Sequence, residues 1–144
     1  GPLCVALWGV KDPGNVGTVL RSALAFGAAS VVLGPGTADP YGPKAVRASM
    51  GAIFEVPVAR ATSIDELPGV TVALDARRGD ALRGSAWDRS SDLTLVVGAE
   101  RAGLAAEVLE ACDRAAHIPI ANESLNAAMA ATLAVYELTR VPEA

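Results

Sequence analysis

The chain has 144 residues, 51% of them hydrophobic and 19% charged, which fits one compact domain and excludes a disordered tail. Its net charge of −4 argues against unaided, non-specific nucleic-acid binding, because phosphate contacts draw on an excess of Lys and Arg. No apolar run reaches the roughly 18 residues a membrane span requires, and the opening Gly1-Pro2-Leu3-Cys4-Val5 lacks the basic start of a signal peptide.

The elements alternate. Leu3–Trp8 is a short apolar strand ending at Gly9. Asn15 is read as the cap of a helix to about Phe26, with Gly27 as its stop. Ser30–Leu33 is the next strand, followed by a loop rich in Gly and Pro. Pro43 opens a short helix that Gly51 ends. Ile53–Val58 is expected as a strand, and Ser63 and Glu66 have capping-box spacing. Val70–Leu74 and Leu93–Val97 are strongly strand-like, and between them Asp75–Asp92 reads as a long polar loop. A helix over Ala105–Asp113, a strand over His117–Ile120 and a last helix from a Ser124 cap to about Arg140 complete the chain. Strand and helix in alternation predict an α/β domain, a parallel sheet with helices on both faces. No internal repeat or linker divides residues 1–144, so a single domain is expected.

Composition narrows the chemistry. Lys11 and Lys44 are the only lysines, so the cations are mostly arginines, suited to phosphate or carboxylate. Cys4 and Cys112 have no metal-ligand spacing and read as free, buried thiols. His117 is the sole histidine, which argues against a histidine metal site or a Ser-His-Asp triad. The apolar excess leaves surface for an oligomer interface.

Three segments could carry a site. The first, Asp12–Arg21, follows strand one. Gly9 and Gly14 have the outer spacing of a phosphate loop, but Asn15 and Val16 stand where that motif needs Lys and Ser or Thr. A turn, a cap and an ordinary helix are the bland reading; an anion such as an RNA phosphate held by a helix N-terminus and Arg21 is the functional one. The second, Leu95–Leu104, is a strand ending in a turn with Gly98, Glu100 and Gly103, where glycine lets backbone approach a ligand. The third, His117–Asn126, ends with Ser124 and Asn126 at a helix start, which simple capping also explains.

In order, N-x-G-x-x-x-R with A-x-x-F-G, G-A-E-x-x-G-L, and I-P-I…E-S-L-N before a small-residue helix resemble the three motifs of the SpoU/TrmH branch of the SPOUT RNA methyltransferases. Gly42–Gly51 is similar to that family's S-P-K-x-x-R-A-S-x-G. The likeness runs from about Cys4 to Leu138. It implies a C-terminal deep trefoil knot, S-adenosylmethionine as cofactor without metal, a cytoplasmic homodimer with the site at its interface, and methyl transfer to a ribose 2′-hydroxyl of RNA. Ribosomal RNA is favoured over transfer RNA. The matched polar residues are Asn15, Arg21, Glu100, Ser124 and Asn126. The cofactor positions are Leu74, Asp75, Ala76, Gly98, Ala99, Glu100, Gly103, Ile118, Ile120, Leu125 and Ala127; Arg21, Lys44 and Arg47 would meet RNA.

Three departures stand out. Ile120–Ser124 is shorter than in many relatives, Ala127-Ala128 replaces a Val-Ser pair, and the family's frequent N-terminal RNA-binding domain is not seen. The alternatives are a non-catalytic RNA- or cofactor-binding module of the same fold and an unrelated nucleotide-binding domain, the latter disfavoured by the missing phosphate-loop lysine.

Overall fold

The structure, a computed structural model, describes residues 1–76, 78–83, 87, 90–99, 102–121 and 125–140. Its strands are β1 (Leu3–Leu7), β2 (Ser30–Leu33), β3 (Val58–Arg60), β4 (Val70–Leu74), β5 (Asp80–Ala81), β6 (Leu93–Val97) and β7 (Arg114–His117). Its helices are α1 (Pro13–Phe26), α2 (Pro43–Ser49), α3 (Ala106–Ala111) and α4 (Ala127–Thr139). The strands form one seven-stranded sheet in the order β3-β2-β1-β6-β4-β7-β5. Every pairing is parallel.

Strand side chains alternate between faces, and the core divides accordingly. Leu3, Val5, Leu7, Val31, Leu33, Val72, Leu95 and Val97 join α1 and α4 in one cluster. Cys4, Ala6, Val32, Ala73 and Val96 join Ile64, Leu104 and Val108 in the other. A sheet covered on both faces explains why β1 and β6 are buried throughout and mostly apolar; the exception in β6, Thr94, satisfies its hydroxyl by donating to Pro68 O at 2.6 Å.

Helix caps set where the site residues fall. Asp12, not Asn15, caps α1: its Oδ1 accepts from the N–H of Gly14 at 2.8 Å and of Asn15 at 3.4 Å. Pro13 supplies a first turn needing no donor. Gly27, with φ 80°, closes the helix as expected. Asn126, two residues beyond the expected Ser124, caps α4 by accepting from Ala128 and Met129; Ser124 lies outside the described residues. The Ser63–Glu66 capping box is present, on a single 3-10 turn at Ile64–Glu66.

Three expectations are corrected. Ile53 belongs to a 3-10 turn, Ala52–Phe54, and the strand starts at Val58; Gly51, with φ 88°, turns the chain, and Pro57 offers no ladder donor. The strand placed at His117–Ile120 is Arg114–His117, ending before Pro119. Within the expected loop Asp75–Asp92, Asp80 and Ala81 pair with Ala116 and His117, and Leu82 and Trp87 are buried.

Gly17 of the N-x-G pattern lies where α1 crosses α2. A Cβ there would overlap the Ala45 carbonyl oxygen and come within 2.7 Å of Ala48 Cβ.

Candidate active site

A pocket of about 200 Å³ opens at the carboxyl ends of β4 and β6. Leu74, Asp75 and Ala76 come from the end of β4, Gly98, Ala99 and Gly103 from the turn after β6, Ile118, Ile120 and Leu125 from the segment after β7, and Ala127 from α4. All ten are expected cofactor positions; the eleventh, Glu100, lies outside the described residues. Sequence reasoning missed Val97, Ala102 and Ala130, which also line it and read as ordinary core or helix residues.

Among the described lining residues Asp75 brings the only ionisable side chain. Polar recognition therefore falls to that carboxylate and to loop backbone groups. The turn is closed by the Gly103 N–H donating to Ala99 O at 2.8 Å, with Gly103 at φ 64°. Gly98 is required for this closure: a Cβ there would lie 2.7 Å from Gly103 C and 2.9 Å from Leu104 Cδ2.

Of the five polar residues, Asn15 and Asn126 meet, while Glu100 and Ser124 lie outside the described residues. Asn126 Nδ2 donates to Asn15 Oδ1 at 3.2 Å, joining residues 111 positions apart. Two further contacts align α1 with α4. The hydroxyls of Ser22 and Thr132 are 2.6 Å apart, and the rings of Phe26 and Tyr136 stand 5.6 Å apart. Residue numbers rise together along both helices, so the two run parallel and present their N-termini at the same edge of the sheet.

Arg21 is apart from this group. It is exposed, with Gly14, Thr18 and Ala25 near it on the outer stripe of α1. It lines neither this pocket nor its neighbour and forms no ion pair with a described residue. Lys44 and Arg47 are exposed on α2. Lys44 reaches toward the start of α1, where its Cε would be 3.7 Å from a Cβ on Gly14.

An adjoining cavity of about 480 Å³ is lined by residues that include Trp8, Lys11, Asn15, Pro35 and Leu104. Only Asn15 of these was expected in a site, because Trp8 reads locally as the last apolar residue of a strand.

The sequence matches the model of the SpoU rRNA methylase family over residues 2–136. It is 41% identical over 138 residues to a 23S rRNA (guanosine(2553)-2′-O)-methyltransferase, RlmP, of Bacillus subtilis, covering 90% of this chain and 54% of that protein. It is 37% identical over 143 residues to a 23S rRNA (uridine(2479)-2′-O)-methyltransferase of Streptomyces viridochromogenes, covering 90% and 49%. The fold superposes on the SpoU methyltransferase AviRb of S. viridochromogenes in complex with AdoMet, with TM-score 0.87, 34% identity and coverage of 96% and 57%. An AdoMet-bound rRNA methyltransferase of Sinorhizobium meliloti gives TM-score 0.86 at 37% identity, covering 96% and 56%. The chain spans about half the length of the curated relatives it matches. Motif order, a parallel sheet with its pocket at the strand ends, and these likenesses agree: the chain belongs to the SpoU rRNA methylase family.

Proposed function

We propose that this chain is the catalytic domain of an S-adenosylmethionine-dependent RNA 2′-O-methyltransferase acting on ribosomal RNA. The observation that carries the reading is the Asn15–Asn126 hydrogen bond beside a pocket built from three loops. The pocket residues suit the cofactor. Leu74, Ile118, Ile120 and Leu125 offer apolar walls for a purine, Asp75 complements a cation, and no Lys or Arg is among the described lining residues. When bound, S-adenosylmethionine supplies a methyl group made electrophilic by a sulfonium.

The chain's residues must hold a ribose hydroxyl in line with that methyl group and help its proton leave. As the oxygen–carbon bond forms, the sulfur–carbon bond breaks and its electron pair stays on sulfur. Arg21 is a poor base, since arginine stays protonated; its role is to stabilise negative charge developing on the oxygen and to hold a neighbouring phosphate. The proton passes to Glu100, to a phosphate oxygen or to water. Asn15, Asn126 and Ser124 orient groups through neutral hydrogen bonds, adding no charge beside the sulfonium. Lys44 and Arg47, exposed on α2, bind the RNA backbone.

A homodimer completes the site. Met129, Leu133 and Tyr136, on one stripe of α4, are 57%, 43% and 47% exposed, with Phe26 beside them at 38%. A second copy covering this stripe brings Arg21 of the outer α1 stripe toward the neighbouring site. The chain's return from β7, beside β4, to α4 against α1 supports the C-terminal trefoil knot. With net charge −4, the domain alone holds RNA weakly, and a separate RNA-binding domain supplies the remaining affinity. No helix among the described residues is long and apolar enough to cross a membrane, and we place the enzyme in the cytoplasm with its RNA.

The test is transfer of labelled methyl groups to ribosomal RNA, followed by nucleoside analysis for 2′-O-methylation. Binding of S-adenosylhomocysteine without transfer to any RNA would leave a non-catalytic module of the same fold.

A further inference from the structure

The cofactor pocket and the larger cavity share a wall of small residues: Ala99, Ala102, Gly103 and Ala127 line both. The larger cavity opens between the segment after β1, Pro35 after β2 and the turn leading into α3. This is the crevice where the strand order reverses. From β1 the chain continues to β2 and β3 on one side, then resumes with β4 on the far side of β6. Open α/β sheets bind ligands at such a crevice.

Its lining is specific. Trp8 is half-buried and its ring lies on Gly34, where an added Cβ would overlap the ring atoms. Gly34 therefore seats the indole against bare backbone. Asn15 spends its Oδ1 on Asn126, which leaves its amide N–H groups as donors. Lys11 is exposed at the rim.

We infer that this cavity receives one nucleoside of the RNA, extruded from its stack, with the base on Trp8, the ribose at Asn15 and the adjoining phosphate at Lys11. The inference rests on the methyltransferase reading. Displacement at a methyl carbon puts nucleophile and leaving group on opposite sides, so donor and acceptor need adjoining compartments. The two adjoining cavities, which have Ala99, Ala102, Gly103 and Ala127 in common, provide them. An enzyme acting on one nucleotide of folded RNA must take it out of the stack, and an aromatic face is the usual receiver.

The test uses the full-length protein saturated with S-adenosylhomocysteine, titrated with each of the four ribonucleoside 5′-monophosphates while the indole N–H resonances are followed by NMR. Trp8 should move with at least one nucleotide, and Trp87, 5% exposed, should not. Trp8→Ala should weaken nucleotide binding about ten- to a hundredfold, the range carried by base stacking, and leave S-adenosylhomocysteine affinity by calorimetry unchanged. Should Trp8→Ala fail to fold, Lys11→Ala serves: it should weaken the monophosphate but not the unphosphorylated nucleoside. A Trp8 resonance indifferent to all four nucleotides, in protein that binds S-adenosylhomocysteine, overturns the inference. So does loss of S-adenosylhomocysteine affinity in Trp8→Ala, which would give the cavity to the cofactor. Protein that binds no S-adenosylhomocysteine at all would sink the methyltransferase reading first, and this inference with it.

Discussion

The side chain of Asn126 holds two elements at once: its Oδ1 caps α4 through Ala128 at 2.8 Å and Met129 at 3.3 Å, and its Nδ2 donates to Asn15 Oδ1 at 3.2 Å. Because the cap fixes which end is oxygen, it also fixes Asn15 as the acceptor. Loss of a cap costs about 1 kcal/mol, so Asn126→Ala should lower stability by at least that amount in urea unfolding. Asn126→Asp keeps the cap, and a negative charge suits a helix N-terminus, but it cannot donate to Asn15. It should unfold near the wild-type midpoint while methyl transfer falls.

Arg21 should divide the same two properties the other way. It is exposed and forms no ion pair with a described residue, so Arg21→Ala should change stability by less than about 0.5 kcal/mol. Its methyl-transfer rate should fall by roughly 10²–10³, the usual cost of one charge-stabilising donor. Arg21→Lys should recover part of the rate. A steep rise of the Lys variant's rate with pH would point instead to a base at this position.

At Gly17, intrinsic propensity and packing make opposite forecasts. In an exposed helix Gly→Ala stabilises by about 1 kcal/mol. Here the added methyl would overlap the Ala45 carbonyl oxygen on α2, and forcing such a contact costs about 1–3 kcal/mol. Gly17→Ala should therefore lower the melting temperature. A rise would show that α1 and α2 separate easily.

Leu133 stands mid-stripe on α4, with Met129 and Tyr136 a turn to either side. Leu133→Glu would bury a charge in the proposed dimer but leave the monomer's core untouched. Light scattering should show a monomer with an unchanged circular dichroism spectrum. A wild-type protein that is monomeric at micromolar concentration would remove this stripe from the account of assembly.

Burial pushes the Cys4 thiol above its ordinary value, with smaller opposing effects from hydrogen bonds to Ser30 and Thr94. Above about pH 8.5, where a free thiol ionises, the unfolded chain releases a proton that the folded chain keeps. The stability this group contributes is therefore whole at neutral pH and is lost as pH rises toward the folded value. Urea midpoints taken from neutral to alkaline pH should fall further for wild type than for Cys4→Ala. Equal slopes would mean that the thiol titrates alike in both states.

What the sequence alone determined was local or strongly patterned. Largely apolar runs marked β1, β2, β4 and β6, because strands buried on both faces have little room for polar side chains. Gly27 and Pro43 marked a helix end and a helix start through backbone conformations only those residues favour. The resemblance to the family's motifs implied ten of the residues that line the smaller pocket. Partnership was decided by the tertiary structure. Arg114–His117 has no strand-like composition and becomes a strand because β4 and β5 lie on either side of it. Asp12 takes the α1 cap and leaves the Asn15 side chain to meet Asn126. Trp8 becomes part of a cavity only because β2 brings Gly34 beneath its ring. Each of these depends on which distant backbone arrives alongside, and long-range pairing leaves no trace in local propensity.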